Sequence, residues 1–146
     1  MKISTRARYG LRLMVDLAVK HGKGPILLKD VSRSQEISEK YLSQIIIPLK
    51  TAGLVKSFRG AHGGYTLQRE PAKINLHEVV SALEGDLSLV ECVSTPAACS
   101  RTDICVTQAV WGQVSRAIAG TLARITLADL VAQHNALPRR AHTYSI

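Results

Sequence analysis

The amino-acid sequence predicts a mostly α-helical protein with a small β wing, in which a winged helix-turn-helix precedes a long dimerisation helix. Apolar residues recur at helical spacing over most of the 146-residue chain, and only residues 54–68 change to the alternation of a strand pair. Residues 1–73 hold fourteen Lys and Arg against five Asp and Glu, a net charge of +9, whereas residues 74–146, with five against six, carry −1. This asymmetry favours a polyanion as the partner of the first half.

Two helices are predicted before the helix that follows residue 38. Thr5 is a suitable N-cap for the first helix, whose apolar face includes Leu11 and Val15. Residues 26–28 predict a short strand, and residues 29–35 predict a brief second helix. The outer face of the first helix is basic and carries Arg6, Arg8 and Arg12.

A third helix is predicted after Ser38, which is a good N-cap. Its buried face is expected to contain Leu42, Ile45, Ile46 and Leu49. Pro48 lacks a backbone donor, so we expect it to bend or shorten this helix near its end. Residues 54–59 then predict one strand, a glycine-rich extended loop follows, and Tyr65 begins the second strand. The order helix, short strand, helix, helix, hairpin is that of a winged helix-turn-helix.

The second half is predicted to contain a fourth helix capped by Asn75 and then a long helix and a final short one. Val110, Val114, Ile118 and Leu122 form an apolar stripe that is too long for an exposed arm, which predicts a symmetric homodimer across residues 105–124. Trp111 is expected to pack between the long helix and the rest of the domain. The predicted segments are the winged helix-turn-helix (1–73), a linking helix (74–90), a cysteine loop (91–106), the dimerisation helix with the final helix (105–135) and a flexible tail (136–146).

The third predicted helix occupies the position that enters the major groove in a helix-turn-helix, where its first residues meet base edges. The candidate DNA contacts on this helix are Lys40, Tyr41, Ser43 and Gln44. Gln44 can form bidentate bonds with adenine. Arg59 at the base of the glycine loop suits the narrow, negative minor groove, and His62 near the tip of the loop is a further candidate contact. A solvated polar helix face and an ordinary hairpin are the plainer interpretation. The helix order together with the charge of +9 favours double-stranded DNA.

All the cysteines of the chain, Cys92, Cys99 and Cys105, lie within fourteen residues of one Pro-containing polar segment. Their spacing lacks the Cys-x2-Cys pair typical of structural zinc, so zinc is a weaker explanation. A thiol redox switch stays open, because Arg101 is a nearby cation of the kind that activates a thiol. Ligation of an iron–sulfur cluster, of either the 2Fe-2S or the 4Fe-4S type, explains three clustered thiols best.

Three stretches resemble the Rrf-two family of bacterial winged-helix transcription regulators: "RYGLRLMVDLA", "SEKYLSQIIIPLKTAGLVKSFRGAHGGYTL" and "INLHEVVSALEG". The cysteines that follow them narrow the resemblance, which covers residues 1 to about 135, to the IscR- and NsrR-like iron–sulfur branch. It implies a homodimer that binds palindromic operators and senses the presence or state of a cluster. It also places Tyr41, Ser43 and Gln44 on the recognition helix and Arg59 in the wing. Ser43 replaces a Glu that affects operator choice in one member, so that member's operators are not carried over.

The resemblance supplies three thiolate ligands and leaves the fourth open. One member of the branch uses a His at the position of Gln108, and others use an Asp of the partner's first helix at the position of Arg8. Neither residue present here is a suitable iron ligand. Asp103 is the local candidate, with water or a small thiol as alternatives. We therefore expect one labile, non-cysteine position that leaves one iron accessible to oxygen or nitric oxide.

The remaining expectations concern compartment and class of function. The first apolar stretch is interrupted by Arg12, Asp16 and Lys20, so it is neither a signal-peptide core nor a membrane span, and the cytoplasm is the expected compartment. The sequence has no phosphate-binding loop and no metalloprotease motif, so we expect no enzyme, no small-molecule substrate and no membrane partner. Two other functions stay open: a cluster-free regulator controlled by thiol oxidation or a protein partner, and an iron–sulfur electron carrier.

Overall fold

A computed structural model describes residues 2–138, which form a mostly helical fold with one two-stranded sheet. The predicted fold class, mostly α with a small β wing, is confirmed. The helices are α1 (Thr5–Val19), α2 (Leu28–Gln35), α3 (Glu39–Thr51), α4 (Leu76–Glu84), α5 (Glu91–Ser94), α6 (Val106–Arg124) and α7 (Leu127–Ala136); the strands are β1 (Val55–Phe58) and β2 (Gly64–Leu67). Short 3-10 helices occupy Pro71–Lys73, Pro96–Ala98 and Thr102–Ile104. No helix within residues 2–138 is both long enough and apolar enough to cross a membrane.

The first helix is the centre of the fold, since α1 contacts α2, α3, α4, α7 and β2. Its buried side chains pack in one core with those of α3 and α4. Removing this apolar surface from water provides the main driving force for the arrangement. The members of the core from these three helices include Leu13, Met14, Leu17, Leu42, Ile45, Leu49, Val79, Val80 and Leu83.

Helix starts follow the predicted capping with small shifts. Ser4, one residue before the expected Thr5, caps α1, because its hydroxyl accepts the N–H of Ala7 at 3.0 Å. Ser38 caps α3 as predicted, and its hydroxyl accepts from the N–H of Tyr41 at 3.2 Å. Pro48 does not shorten α3, which continues to Thr51. The carbonyl that loses its helical partner at Pro48 belongs to the exposed Gln44 four residues earlier, where water can replace the donor.

The wing is an antiparallel pair in which Val55 faces Leu67 and Phe58 faces Gly64. The strand predicted at residues 26–28 is reduced to one bridge, because α2 already begins at Leu28. In this bridge Ile26 donates to the Tyr65 carbonyl at 2.9 Å and accepts from the Tyr65 N–H at 2.8 Å. Gly64, with φ of 140°, permits the bridge, since a Cβ there would lie 2.6 Å from the Ile26 carbonyl oxygen.

The helices α4 and α7 begin side by side. Asn75 and Thr126 each form a capping box with the acidic residue three positions later, Glu78 and Asp129 respectively. Two backbone hydrogen bonds of 2.9 Å join the two starts, from Leu76 to the Ile125 carbonyl and from Leu127 to the Ile74 carbonyl. As a result α7 folds back onto α1. Ala136, expected to begin a flexible tail over residues 136–146, is instead the last residue of α7, and residues 139–146 lie outside the described residues.

A buried carboxylate fixes the angle between the first two helices. Asp16 is 7% exposed, and its Oδ2 lies 2.7 Å from the Lys20 ammonium. Its Oδ1 accepts from the Ser34 hydroxyl at 3.0 Å and from the Gln35 amide at 3.2 Å. These bonds tie α1 to the end of α2, where Glu36 adopts a left-handed conformation with φ of 54° and redirects the chain toward α3. Asp16 therefore supports the turn of the helix-turn-helix.

We predict that Asp16→Ala lowers the free energy of unfolding by about 2–4 kcal/mol, because it leaves the donors on Lys20, Ser34 and Gln35 without their acceptor. Urea unfolding followed by circular dichroism measures the change. Asp30→Ala is the matched control, since it removes only an exposed 3.9 Å ion pair with Arg33 and should cost less than about 1 kcal/mol. Equal losses in the two variants would contradict the role given to Asp16.

Candidate nucleic-acid interface and cysteine site

The third helix buries one face and exposes the other. Lys40, Ser43 and Gln44, predicted to contact DNA, are all exposed on it. Tyr41 is half-buried, and its ring meets the ring of Tyr9 edge to face, with centroids 6.0 Å apart and planes at 83°. The Ser43 hydroxyl donates to the Lys40 carbonyl at 2.6 Å, so its proton is engaged within the helix and its oxygen can accept an external donor.

Sequence patterns did not group Arg6 with these residues, but the fold does. A cavity of about 180 Å³ between α1 and α3 is lined by Arg6, Tyr41, Gln44 and Ile45. The first helix thus places a guanidinium beside the amide of Gln44 at one opening. These groups suit phosphate oxygens and base edges. Helical periodicity marked Arg6 as outward-facing, but only the crossing of α1 over α3 reveals which surface it joins.

The two predicted wing residues, Arg59 and His62, are exposed in the connection between β1 and β2. The sequence predicted an extended loop, whereas the structure has a compact turn closed by the Gly63 N–H, which donates to the Gly60 carbonyl at 3.0 Å. Gly60 has φ of 101°, which suits glycine and explains how so short a turn reverses the chain. The wing therefore holds Arg59 beside the end of β1.

The three-helix motif, the two-stranded wing and the exposed face of α3, together with the charge of +9 on residues 1–73, define a winged helix-turn-helix protein. A family model described as Rrf2, an iron-dependent transcriptional regulator, matches residues 3–133. The chain belongs to the Rrf2 family of transcriptional regulators, as the resemblance predicted.

Named relatives are similar over nearly the whole chain. The transcriptional regulator CymR of Bacillus subtilis is 43% identical over 130 residues, which cover 89% of each protein. The transcriptional regulator IscR of Escherichia coli is 36% identical over 146 residues, which cover 99% of this chain and 90% of that protein. A solved structure of B. subtilis CymR, described as the global cysteine regulator, has a TM-score of 0.76 and covers 91% of this chain and 98% of its own.

The cysteine segment, residues 91–106, contains regular secondary structure. It contains α5 and two 3-10 helices where the sequence predicted a loop. The Thr102 hydroxyl lies 2.7 Å from the Pro96 carbonyl and 2.8 Å from the Cys99 carbonyl, which folds the segment on itself. Cys92 and Cys105 are partly buried, Cys99 is exposed, and all three are free thiols.

The three thiols do not converge in this structure. Within residues 2–138 no group of three His, Cys, Asp or Glu side chains is arranged to hold a metal ion. The two ends of the segment are nevertheless joined, because the Gln108 amide donates to the Cys92 carbonyl at 3.2 Å. Cys92 and Cys105 thus flank the base of the segment, and Cys99 lies between the two 3-10 helices. The donors are of the right type for a cluster, but their arrangement is not preformed.

Cys105 has an environment that favours its thiolate. The pKa of this thiol is lowered, first by a hydrogen bond with the Thr107 hydroxyl at 3.2 Å and then by the N–H of Gln108, with a smaller contribution from Arg101. Cys105 is also the N-cap residue of α6, where the helix dipole favours negative charge. Since the thiolate is the form that binds metals and reacts with oxidants, Cys105 is prepared for either chemistry.

Of the positions considered for a fourth ligand, only Asp103 carries a side chain suited to iron. Gln108 is bonded to Cys92 through its amide nitrogen. Arg8 donates to the Thr5 hydroxyl at 3.1 Å on the first turn of α1. Asp103 is exposed in the second 3-10 helix of the cysteine segment.

Proposed function

We propose that this chain is a homodimeric, DNA-binding transcription regulator whose affinity for palindromic operators depends on an iron–sulfur cluster held by Cys92, Cys99 and Cys105. The observation that carries the proposal is the gathering of every thiol of the chain in one segment at the start of α6, a helix that contacts α4. The signal is the presence or redox state of the cluster, or its reaction with nitric oxide. The proposed compartment is the cytoplasm.

The DNA-binding part of the proposal uses the exposed face of α3 and the wing. Lys40, Tyr41, Ser43 and Gln44 would enter the major groove, and Arg59 and His62 would approach the minor groove. The net charge of +9 on residues 1–73 would attract phosphates of any sequence, and this part of the affinity falls as salt rises. Arg6 adds a cation at the α1–α3 opening.

The proposed dimer surface is the part of α6 that its own domain leaves uncovered; Gly112 and Ser115 are the buried residues of this helix. Exposed apolar side chains lie on this part: Val106 is 83% exposed, Val110 52% and Trp111 43%. The sequence predicted that Trp111 packs between the long helix and the rest of the domain. With 43% of its surface exposed, Trp111 is not enclosed there. A second copy of α6 is the proposed occupant, because a palindromic operator requires two recognition helices about 34 Å apart on one face of the duplex.

The chemistry of the cysteine segment supports the cluster. Thiolates are the usual ligands of iron–sulfur clusters, and Cys105 has a lowered pKa. No residue within α5 or the two 3-10 helices is buried, so rearranging the segment around a guest would not break a core. When bound, the cluster would supply a centre that reacts with oxygen or nitric oxide. The description of the family as iron-dependent agrees with this choice.

A continuous set of contacts connects the cysteine segment to α3. Gln108 bonds to Cys92, and the Leu89 N–H donates to the buried Ser115 hydroxyl at 3.1 Å, so the segment and its approach are attached to α6. The α6 helix packs on α4, which in turn contacts α1 and α3. A cavity of about 230 Å³ beside α5, lined in part by His77, leaves room for movement. The sequence predicted that cluster binding orders residues 91–106; since the segment is already folded here, we propose that its rearrangement around a cluster changes the relative placement of the two recognition helices.

A second candidate is a cluster-free regulator controlled by thiol oxidation. It is favoured by the lowered pKa of Cys105 and the exposure of Cys99. One relative, CymR of B. subtilis, is described as a global cysteine regulator, which agrees with a regulator of this second kind. In this case two thiols of the segment would form a disulfide, with an external oxidant such as peroxide accepting the two electrons.

Replacing Gln44 should reduce sequence discrimination. We expect Gln44→Ala to weaken binding to an operator selected by the wild-type protein by about 1–3 kcal/mol, and binding to random duplex much less, because an amide reads base edges. Arg59→Ala should reduce both affinity and discrimination. Fluorescence anisotropy at a fixed salt concentration measures the affinity of each variant for the operator and for random duplex. Gln68→Ala, an exposed Gln just beyond β2, is the matched control. If Gln44→Ala and Arg59→Ala both bind the operator normally, the assignment of the DNA face is wrong.

Introducing a charge on the proposed dimer surface should separate the subunits. Ile118→Asp places a carboxylate in the apolar stripe of α6 and should give a monomer or an aggregate in multi-angle light scattering. Ala123→Asp adds the same charge at an exposed α6 position outside the stripe and should stay dimeric. A wild-type chain that is monomeric at micromolar concentration would refute the dimer.

Removing any one of the three thiols should prevent stable cluster binding. Iron and sulfide counts after anaerobic reconstitution should show a cluster in the wild type and none in Cys92→Ala, Cys99→Ala or Cys105→Ala, while Ser100→Ala in the same segment keeps it. Gln108→His should make the cluster more resistant to oxygen by filling the labile position. The cluster should be less stable in Asp103→Ala than in the wild type only if Asp103 is the fourth ligand.

A wild-type chain that stays colourless and iron-free in this experiment would reject the cluster and leave thiol oxidation as the candidate. The affinity of the wild type for its operator should then change after peroxide treatment. It should return to its starting value when a dithiol reductant is added. Cys105→Ser should abolish that response.

A further inference from the structure

The exposed face of α3 is not uniformly polar. Ile47, a large aliphatic residue, is 61% exposed on it. Ser43 and Gln44 lie one helical turn before it, and Thr51 one turn after it, so all four share a face of the helix. The buried residues Leu42, Ile45, Ile46 and Leu49 occupy the opposite side. Ile47 therefore lies on the same exposed face as Ser43 and Gln44, one helical turn beyond them toward the end of α3.

The position of Ile47, more than its exposure, distinguishes it from other exposed apolar residues. Single apolar side chains are common on protein surfaces and need no partner. An isoleucine one turn beyond the base-reading side chains and on the same face, however, would be covered if α3 lay along the major groove, and it cannot form hydrogen bonds with base edges. The apolar group that a base pair presents in that groove is the 5-methyl group of thymine. Burial of two apolar surfaces against each other is favourable, whereas burial of Ile47 against a polar edge is not.

We propose that Ile47 reads a thymine in each operator half-site through contact with its 5-methyl group. This inference rests on the proposed function, in which α3 lies in the major groove. Ile47 is one turn, about 5.4 Å, along the helix from Ser43. Base pairs repeat about every 3.4 Å, so the thymine lies one or two base pairs from the pair that Gln44 contacts.

The local structure suits a rigid apolar contact. A β-branched side chain in a helix has one strongly preferred χ1 rotamer, so little conformational entropy is lost when DNA covers it. The Thr51 hydroxyl donates to the Ile47 carbonyl at 3.1 Å, which supports the last turn of α3 next to Pro48. Ile47 is thus held on a fixed helical element and not on a loop.

Removal of single methyl groups from DNA tests the contact. The wild-type dimer first selects an operator from a library of random-sequence duplexes. Each thymine is then replaced by deoxyuridine, symmetrically in both half-sites, and affinities are measured by fluorescence anisotropy. At one thymine per half-site we expect affinity to fall about threefold to fivefold for each methyl removed. Ile47→Ala should lose a similar factor on the unmodified operator and show no further loss at that thymine, while Ile47→Val should lie between.

Controls separate this inference from general damage and from the proposed function. Leu137→Ala, at an apolar residue that is 65% exposed beyond α7, should bind like the wild type. Thermal melting should be the same for Ile47→Ala and the wild type, since no core contact is removed. A wild-type dimer that tolerates deoxyuridine at every position, or an Ile47→Ala dimer with unchanged sensitivity, overturns the assignment of Ile47 and leaves the regulator intact. A wild-type chain that selects no duplex overturns the proposed function and this inference together.

Discussion

The close approach of α1 and α4 at Gly10 is the contact on which the rest of the structure depends. A Cβ at this buried position would run into the Leu83 side chain, so glycine lets the two helices pack closely. Glycine in a helix interior costs about 1 kcal/mol relative to alanine, and burial of the α1–α4 interface offsets that cost. The α1 helix holds α2 and α3 on one side, and α4 holds α6 on the other. The basic half and the cysteine half are therefore parts of one packed unit.

Most acidic residues in the basic half have a local electrostatic partner. Of the five, Asp16, Asp30 and Glu70 form ion pairs with cations of the same half. Glu39 lies in the first turn of α3, where the helix dipole favours negative charge, and Glu36 is the C-cap of α2. The half as a whole keeps its net charge of +9. The resulting attraction for phosphates is independent of sequence and sensitive to salt. Discrimination between sequences therefore has to come from the side chains on α3, whose faces the α1 and α4 contacts fix in space.

Sequence patterns predicted most of the fold because the principal helices and the wing each have enough residues to show a period. Sequence patterns failed where a tertiary contact determines the exposure of a residue, or where an element is too short to show a period. The helix α5 has four residues, too few for any periodicity, and Leu28 opens α2 where a strand was expected. Neither the crossing that brings Arg6 to Gln44 nor the exposure of Trp111 is encoded in a local pattern. The family was predicted correctly; the role of the three thiols stays a prediction, and their arrangement depends on hydrogen bonds of Thr102 and Gln108.

Gln108 has a particular consequence for how the cysteine segment can signal. Its amide ties the Cys92 carbonyl to α6. In this structure the two ends of the segment are therefore joined, and Cys99 between them is exposed. Under the proposed function, a signal from the segment would reach α4 through α5 and α6. The strength of the signal cannot exceed the difference in ligand-binding free energy between two arrangements of the cysteine segment. Such couplings are typically about 1–3 kcal/mol. Under the proposed function, the regulator would adjust operator occupancy by a graded factor and retain its sequence preference, because the residues of α3 are unchanged.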